Sequence, residues 1–465
     1  MAMFTQAGVT GSDDWWILRL ATKLGRGFPR LRLLQSYRDN TCMIPAAASV
    51  ATSIAFQTFI RQSRLNMAEL ISSARTNRMK PLAFKTAAPG DDNGDALAMT
   101  TWKRSSMKVG IRDVFSDMVD FGEAFTTTTG PQSPSSDAQP TILPSNGWTT
   151  AASPLAAQPW LSEAAITVGY DPINRADLMT LFRPGYMRQA FRAAAVSSIP
   201  SDGTTWTPGD GWTWVSDPIP LGYTQDVPVV SYRTRNGVGV YENHLDSLDR
   251  VNHTILQRSE IIAMQAFRQL AIQGDLPERY PAGHPRAGEL INYDEVYKAG
   301  PGALWMLPTE AKIWESAVTD ITPISGALKD DVKNLAAVTS TPIYILSPDA
   351  ANGSAEGASL ARESLIFAVE DLVDRADAGL AQAHSLAFQA LGDAQRAQVG
   401  DISTMWAPID RSSITERAAA SAQAKTGGLS QKMIDEKIFQ LTPDEMAQEE
   451  QNLQDQAFLS PAPAA

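Results

Sequence analysis

The chain is short of several residue types, and each shortage excludes a class of structure. It has a single cysteine, Cys42, so an intramolecular disulfide and a cysteine-based zinc site are excluded, and a reducing compartment is expected. No apolar run reaches the roughly 18 residues that a transmembrane helix needs. Met1–Ser12 lacks the basic and then apolar order of a signal peptide. We therefore expect a protein of the cytosol or of a particle, without membrane contact.

Positive charge is also scarce. The 39 lysines and arginines are outnumbered by 51 acidic residues, so the formal net charge is −12. Proteins that grip nucleic acid through its phosphates are usually basic, so any contact with DNA is expected to be sparse or sliding. Simple solubility is the alternative explanation of the acidic balance. The apolar content of 43% predicts a globular chain, and a charged fraction of 19% fits one that buries surface in an assembly.

Signatures of catalysis are missing. The sequence has no G-x-x-x-x-G-K-[ST] loop, no H-E-x-x-H motif and no G-x-S-x-G motif. The acidic pairs Asp330–Asp331 and Glu370–Asp371 are interpreted as solvated helix faces or as partners between subunits. Structural or solvent roles are expected for the scattered histidines, which are His244, His253, His284 and His384. We predict no enzymatic activity, no metal site and no cofactor.

Periodicity in the N-terminal half predicts helices followed by strands. A helix begins after Asp13 and Asp14 and covers Trp15–Leu24, and Pro29 breaks the basic, apolar segment that follows. Thr126–Ala157 is rich in Thr, Ser, Pro, Gly and Ala, which predicts a surface loop or a flexible insertion. Further helices are predicted over Ser49–Met79 and Thr101–Phe125, and strands over Ile166–Tyr170 and Val227–Tyr232.

The most informative stretch is Gly237–Glu363. Its apolar stripes predict two helices, a strand pair between them, an irregular loop and the start of a third, very long helix. These elements are a helix over Tyr241–Ile272, strands over Ala303–Pro308 and Ala311–Glu315, a helix over Ile321–Val338, a loop over Thr339–Gly353 and a helix over Ser354–Leu391. Shorter helices are predicted over Ser413–Lys425, Ser430–Phe439 and Thr442–Phe458. The predicted fold class is α+β, mainly α.

Several segments carry a resemblance when taken in this order. They are Gly237–Arg258 (GVGVYENHLDSLDRVNHTILQR), Gln265–Gly274 (QAFRQLAIQG), Lys298–Glu315 (KAGPGALWMLPTEAKIWE), Asp320–Pro342 (DITPISGALKDDVKNLAAVTSTP) and Pro348–Glu363 (PDAANGSAEGASLARE). Together they resemble the portal proteins of tailed bacteriophages, most closely those of phages infecting actinobacteria. The resemblance covers residues 12 to 458 approximately, and none of its segments is a chemical motif.

The resemblance implies a ring, usually of twelve subunits, at one capsid vertex. Double-stranded DNA would be packaged and later ejected through its channel. The implied regions are an N-terminal wing (1–240, with a flexible insertion at 126–157), a first stem helix (241–274), a clip (275–319), a second stem helix (320–340), a tunnel loop (341–353), a long wing helix (354–392) and a C-terminal wing and crown region (393–465).

The same resemblance implies the partners and the location. Besides further copies of the chain and DNA, the partners would be the terminase large subunit, a head-tail adaptor, and the major capsid and scaffolding proteins. The protein would belong to the portal vertex of the virion and would assemble in the host cytoplasm.

Two groups of residues become candidates for function. Candidates for the DNA channel are Lys329, Lys333, Arg258, Arg268, Asp349, Asn352 and Gly353. The alternatives are cations that pair with acids of the adjacent subunit and a loop that merely connects two helices. Candidates for docking on the clip are Trp305, Trp314, Glu310 and Lys312, and a core position is the alternative for the two tryptophans. Other hypotheses for the whole protein are a different capsid or adaptor protein, or a non-motor subunit of a DNA-packaging enzyme complex.

Overall fold

The computed structural model is mixed α and β, with about 48% of the chain in helices, in agreement with the α+β prediction. It describes residues 6–42, 60–61, 63–89, 94–131, 139–215, 217–266, 270–273, 277–293, 312–315, 320–347, 355–410 and 414–459. The chain divides into a larger unit (1–44, 65–249 and 331–465) and a smaller unit (45–64 and 250–330). In the described ranges no helix combines the length and the hydropathy of a membrane span.

Helices lie in the N-terminal and C-terminal parts of the chain. The N-terminal helices are α1 (Asp13–Arg38), α2 (Met67–Thr76), α3 (Ala96–Arg104) and α4 (Met107–Phe121). Further along the chain come α5 (Leu245–Ala266), α6 (Thr322–Val338), α7 (Ile343–Leu346) and α8 (Ala355–Leu391). Helices α5 and α6 each run from one unit into the other. The C-terminal helices are α9 (Ile414–Thr426), α10 (Gln431–Ile434), which continues as a π turn over Asp435–Phe439, and α11 (Pro443–Leu459).

The strands form small antiparallel sheets. Between α2 and α5 they are β1 (Pro81–Lys85), β2 (Glu123–Thr129), β3 (Thr141–Ser145), β4 (Thr150–Leu155), β5 (Gln158–Asp171), β6 (Ala176–Arg183), β7 (Tyr186–Ala193), β8 (Thr213–Trp214), β9 (Ile219–Pro220) and β10 (Val229–Arg233). Later strands are β11 (Leu270–Gln273), β12 (Lys312–Glu315) and β13 (Ser403–Trp406). The sheets are β1–β13, β10–β2–β3, β11–β12, and β4–β5–β6–β7–β8 with β9 also on β7.

Pro29 does not break α1, contrary to the sequence-based prediction. A proline leaves the carbonyl four residues earlier without its helical donor, and here that carbonyl belongs to Gly25. The backbone N–H of Trp206 donates to the Gly25 oxygen at 3.3 Å. A Cβ on Gly25 would lie 1.9 Å from the Trp206 carbonyl oxygen, so only glycine permits this approach. The helix survives because a distant segment supplies the missing hydrogen bond.

The predicted flexible insertion at 126–157 is wrong for its described residues, which form β2, β3 and β4. Thr126 and Thr128 on β2 are fully buried. Their hydroxyls have partners, because Thr126 Oγ1 lies 3.2 Å from the Tyr232 hydroxyl and Thr128 Oγ1 donates to the Ala383 carbonyl at 3.3 Å. Threonine is β-branched and suits a strand once its hydroxyl is satisfied. Composition indicated a loop, whereas tertiary hydrogen bonds make these residues core strands.

Two predicted helices in the N-terminal half are shorter than expected. Thr101–Phe125 is interrupted at Ser106, whose φ of 54° is left-handed, and the chain leaves the helix at Gly122 and enters β2. Of Ser49–Met79, the described part is helical at 60–61 and again in α2. Asn66 begins α2, because its side-chain oxygen accepts from the Glu69 N–H at 3.1 Å. Caps and turns, which periodicity does not register, divide both segments.

The predictions for Gly237–Glu363 fare better. The helices predicted over Ile321–Val338 and Ser354–Leu391 are confirmed as α6 and α8 within one residue. The helix predicted to Ile272 is wrong at 270–272, because Leu270–Gln273 pairs with Lys312–Glu315 as a strand. A short apolar run fits either a helix or a strand, and pairing decides. The loop after α6 contains the short helix α7, and the strand predicted over 303–308 lies outside the described residues.

The core of the larger unit forms where α8 packs on β2, β10 and α2, and buried side chains of α3 and α4 join the same cluster. Its buried α8 side chains include Val369, Ala376, Leu380 and Leu386, all at most 1% exposed. Helix α4 supplies the facing apolar stripe, as its spacing predicted. Val227–Tyr232 is confirmed as a strand that starts after Pro228 and lies at the edge of its sheet. One polar ring, that of His384, interrupts this apolar core.

His384 is fully buried between aromatic rings. Its ring centroid lies 3.9 Å from that of Phe84 and 5.8 Å from that of Trp102. Within the described part of the chain, neither ring nitrogen has a hydrogen-bond partner. Burial lowers the pKa of His384 to about 3, because the surrounding apolar side chains cannot solvate an imidazolium. The residue is therefore a neutral core histidine, as the structural interpretation of the sequence predicted.

We predict that His384→Phe makes the protein less sensitive to acid. Below its ordinary pKa of 6.5 the unfolded chain binds a proton at His384, whereas the folded chain does not until about pH 3. Stability is therefore lost as the pH falls through this window, by up to ~1.4 kcal/mol per pH unit for one proton. Urea unfolding at neutral pH and near pH 5 measures the difference.

The matched control is His253→Phe, since the His253 ring is partly exposed and hydrogen-bonded to Gln257 at 2.9 Å. That variant should keep the pH dependence of the unaltered chain. The difference in unfolding free energy between each variant and the unaltered protein cancels the contributions of other titrating groups. Parallel stability curves for His384→Phe and the unaltered chain would contradict the prediction.

Candidate functional site

The start of α5 is anchored on α1. Tyr241 is fully buried and its hydroxyl donates to the Leu34 carbonyl oxygen at 3.0 Å. About two turns later, Asp249 accepts a hydrogen bond of 2.9 Å from the Tyr37 hydroxyl. Burial and the neighbouring Asp249 raise the pKa of Tyr37, so its hydroxyl stays protonated and donates. These contacts fix the start of α5 on α1.

An ion pair at the same root strengthens the anchor. The Arg30 guanidinium donates from Nε to Glu242 Oε1 at 2.7 Å, and its Nη2 also reaches the Gly237 carbonyl oxygen at 3.0 Å. Glu242 in turn accepts from the Gly239 N–H at 2.9 Å. A forked guanidinium–carboxylate contact fixes geometry better than a point charge does. The turn before α5 is therefore held by side chain and backbone together.

The end of α6 is anchored by Arg75 of α2. Arg75 is 4% exposed, and its hydrogen-bond acceptors among the described residues are neutral oxygens. It donates to the Ile71 carbonyl at 2.7 Å, to Thr341 Oγ1 at 3.3 Å and to the Thr339 carbonyl. Thr339 follows the last residue of α6, and carbonyls there have no helical donor of their own. Arg75 therefore caps the C-terminus of α6.

The cap explains how a buried cation is tolerated. Burial lowers the pKa of Arg75 to about 10, which still leaves it charged at neutral pH. The C-terminus of α6 carries a partial negative charge that offsets part of the desolvation of the guanidinium. Burial is the main cause that lowers the pKa of His244, just before α5, and the charge of Arg75 lowers it further.

A cluster of charged and polar side chains joins α1, α2 and α4. Arg38 lies 3.5 Å from Asp117 and 3.8 Å from Asp120, and Ser72 of α2 donates to Asp120 at 2.5 Å. Burial raises the pKa values of Asp117 and Asp120 to about 6, and the charge of Arg38 opposes that rise. The cluster ties α2, and with it Arg75, to the two longest N-terminal helices.

The predicted channel cations lie on the exposed side of α6. Lys329 and Lys333 are both exposed and, being four residues apart, share one face of the helix. Buried Val332 and Ala336 lie one turn from Lys329 and Lys333, and buried Leu335 lies farther round the helix. Arg258 lies on α5 and is partly exposed. The structure thus presents the lysine pair on a helix whose end is fixed by Arg75.

Of the other candidates, the structure describes two, Lys312 and Trp314. Lys312 and Trp314 lie on β12, opposite Gln273 and Ala271 of β11. Trp314 is 55% exposed, so a core position does not apply to it in the single chain. The remaining candidates lie outside the described residues, and these are Arg268, Asp349, Asn352, Gly353, Trp305 and Glu310.

The anchoring residues were not predicted to be functional. For Arg75 the sequence predicted only a place in the helical segment Ser49–Met79 and no role. A signal was present, because Arg75 continues the face of α2 that carries Ala68 and Ile71, and a charge on an apolar face needs a buried partner. Among the described residues, no three histidine, cysteine or acidic side chains come close enough to hold a metal ion.

Comparisons with known proteins give distant likenesses. No protein-family model matches the sequence, and no curated protein matches it. The chain is similar to a chain from the neck of an empty GTA particle, computed with C6 symmetry, at 12% identity and a TM-score of 0.42, covering 84% of this chain and 96% of that one. It is also similar to a chain of the virion of a native gene transfer agent particle, at 13% identity and a TM-score of 0.40, covering 86% and 97%. At such TM-scores the function has to be argued from the chain's own residues.

We predict that Arg75→Met loosens the end of α6. The carbonyls of Thr339 and Ile71 would stay buried without their charged donor, which costs about 2 kcal/mol of unfolding free energy. Urea unfolding measures the loss, and hydrogen exchange should be faster at the backbone amides from Thr341 to Leu346.

The control is Arg78→Met, which removes a guanidinium that, within the described part of the chain, donates to the Ala74 carbonyl of its own segment at 2.7 Å. That change should alter neither exchange after α6 nor stability by more than about 0.5 kcal/mol. Equal behaviour of the two variants would show that Arg75 is not the cap we describe.

Proposed function

We propose that this chain is the subunit of a portal-type ring at a capsid vertex, through which double-stranded DNA is packaged and later ejected. The ring would also be the platform for the terminase motor and the head-tail adaptor. The proposal draws on the sequence resemblance for the ring, the axis and the DNA. It draws on the structure for an element order that suits such a subunit.

The observation that carries the proposal is the segment between α5 and α6, which begins and ends with two paired strands. The strand that follows α5, Leu270–Gln273, pairs in antiparallel register with Lys312–Glu315, the strand that precedes α6. The intervening residues therefore leave and return at one place in the smaller unit. Together with a root anchored by Tyr241 and a C-terminus capped by Arg75, this is the order of stem, clip, stem and loop that the resemblance implies. The long helix α8 then follows as the wing helix.

Charge supports sliding of DNA rather than tight binding. Every subunit carries a formal net charge of −12, so a channel wall of the same sign would repel the duplex. Each phosphate contact releases counterions and must be broken when the duplex advances, so strong contacts would add friction. A ring of Lys329 and Lys333 on α6 would centre the duplex without holding it. We propose no catalytic activity for the chain itself, because packaging energy would come from the motor.

The deciding experiment is a mass measurement of the purified full-length protein, followed by an image of the assembly along its axis. A closed ring with a central channel wide enough for a duplex is the expected result. A stable monomer, or hundreds of copies per particle, would overturn the proposal in favour of another capsid or adaptor protein. Metal-dependent hydrolysis of ATP or DNA that is lost on changing one carboxylate would favour the enzyme-complex alternative.

We predict that Lys329→Ala combined with Lys333→Ala leaves the ring intact but changes the length of packaged DNA or its retention. The lysines are exposed and the buried side of α6 is untouched, so assembly and stability should not change. The readouts are ring mass, packaged length and infectivity.

The charge-matched control is Lys103→Ala with Lys108→Ala, two exposed lysines at α3 and α4. That pair should package DNA normally. Packaging that is unchanged in the α6 variant would exclude contact between these lysines and DNA.

A further inference from the structure

The exposed side of α1 is unusually basic for so acidic a chain. Arg19, Lys23 and Arg26 follow at spacings of four and three residues, so they share one face, and all are exposed. The acids of this helix, Asp13 and Asp14, are occupied elsewhere. Asp13 accepts from Tyr186 at 2.7 Å and from Arg188 at 3.2 Å, and Asp14 accepts from Gln6 and Trp214. Within the described part of the chain, no carboxylate pairs with any of the three cations.

The three cations line a groove with an apolar floor. The groove has a volume of about 750 Å³, and Trp15 and Leu18 lie among its lining residues. The Arg19 guanidinium lies 4.9 Å from the centre of the Trp15 ring, which fixes its position by a cation–π contact. Lys23 donates to the Ala152 carbonyl oxygen at 2.6 Å, so one wall of the groove is also held in place. The groove therefore fits an acidic helix that carries an apolar side chain.

Such a helix exists in the chain itself. Helix α11 carries Asp444, Glu445, Glu449, Glu450 and Asp455 and no lysine or arginine. Leu453 on α11 is 45% exposed, and Glu449 and Glu450 precede it by one turn on the same face. An exposed leucine beside acids is the complement of an apolar floor beside cations. In the single chain α11 is held elsewhere, because Lys432 pairs with Glu450 at 3.0 Å and Met446 is buried.

We infer that the basic groove of α1 binds the acidic helix α11 of a second copy of this chain. The two surfaces differ, so the contact is head-to-tail, and a head-to-tail contact closes into a ring when its rotation allows. This inference rests on the proposed function for the closed ring, but the contact itself does not depend on DNA. It also explains why an acidic chain keeps three exposed cations on one helix face, since copies that repel overall need a local attractive pair of surfaces.

The test is charge reversal in the full-length chain, read by mass measurement at low and high salt. Arg19→Glu, Lys23→Glu and Arg26→Glu together should weaken association ~100-fold or more, because three attractive contacts become repulsive. Glu449→Lys, on the face of Leu453, should also weaken it while sparing the Lys432–Glu450 pair. The chain that carries all four changes should associate more strongly than the α1 variant, since the charges are exchanged and not removed.

The control reverses an equal number of exposed cations elsewhere, with Lys103→Glu, Lys108→Glu and Arg112→Glu. It has the same net charge as the α1 variant and should assemble like the unaltered chain. Assembly of the α1 variant at the unaltered level would overturn the inference, as would loss of assembly in the α1 variant but not in the α11 variant. Loss in both variants without recovery in the combined chain would also overturn it.

The outcomes also separate the inference from the proposed function. A closed ring that ignores all of these charge reversals leaves the portal proposal standing and overturns the groove contact. Open chains or dimers that respond to the reversals and to salt support the groove contact and count against the portal. A monomer under all conditions overturns both.

Discussion

The close approach of α8 to β10 holds the larger unit together. At Gly379 the helix backbone lies so near Tyr232 that a Cβ would come within 2.6 Å of the ring. Tyr232 is fully buried, and its hydroxyl lies 3.2 Å from Thr126 Oγ1 on β2. Burial raises the pKa of Tyr232, so the hydroxyl stays neutral in the core. The longest helix can therefore cross the three-stranded sheet only where a glycine faces an aromatic ring.

Two helices, α5 and α6, are anchored on this unit by buried polar contacts. The α5 root depends on hydrogen bonds from Tyr241 and Tyr37, and the α6 end depends on the guanidinium of Arg75. All three groups are buried or partly buried, where hydrogen bonds are strong and their loss is costly. Buried polar contacts therefore fix the root of α5 and the end of α6 with few residues.

Charge is distributed in a way that a count does not reveal. The chain is acidic overall, yet one face of α1 carries three exposed cations and one face of α6 carries two exposed lysines. We propose that the α6 lysines make weak contact with DNA and that the α1 cations bind an acidic helix of a second copy. In both cases a local positive surface attracts an anionic partner that the net negative charge of the chain repels. This arrangement favours specific contacts over general adhesion.

The sequence by itself determined the elements that rest on local periodicity and on absences. The apolar stripes of α4, α6 and α8 predicted these helices, because one turn of a helix brings residues three and four apart together. The lone cysteine excluded an intramolecular disulfide without any structure. The position of Lys329 and Lys333 on one helix face also followed from spacing alone.

Only the tertiary structure decided where distant groups satisfy one another. Thr126–Ala157 looked like a loop by composition, but Tyr232 and Ala383 supply partners that make it core strands. Pro29 remains inside α1 because Trp206 supplies the donor that proline lacks. Leu270–Gln273 is a strand because Lys312–Glu315 pairs with it, and Arg75 is a cap because Thr339 lies beside it in space. In each case a hydrogen bond between residues far apart in sequence overrode a local preference, and local patterns contain no information about such partners.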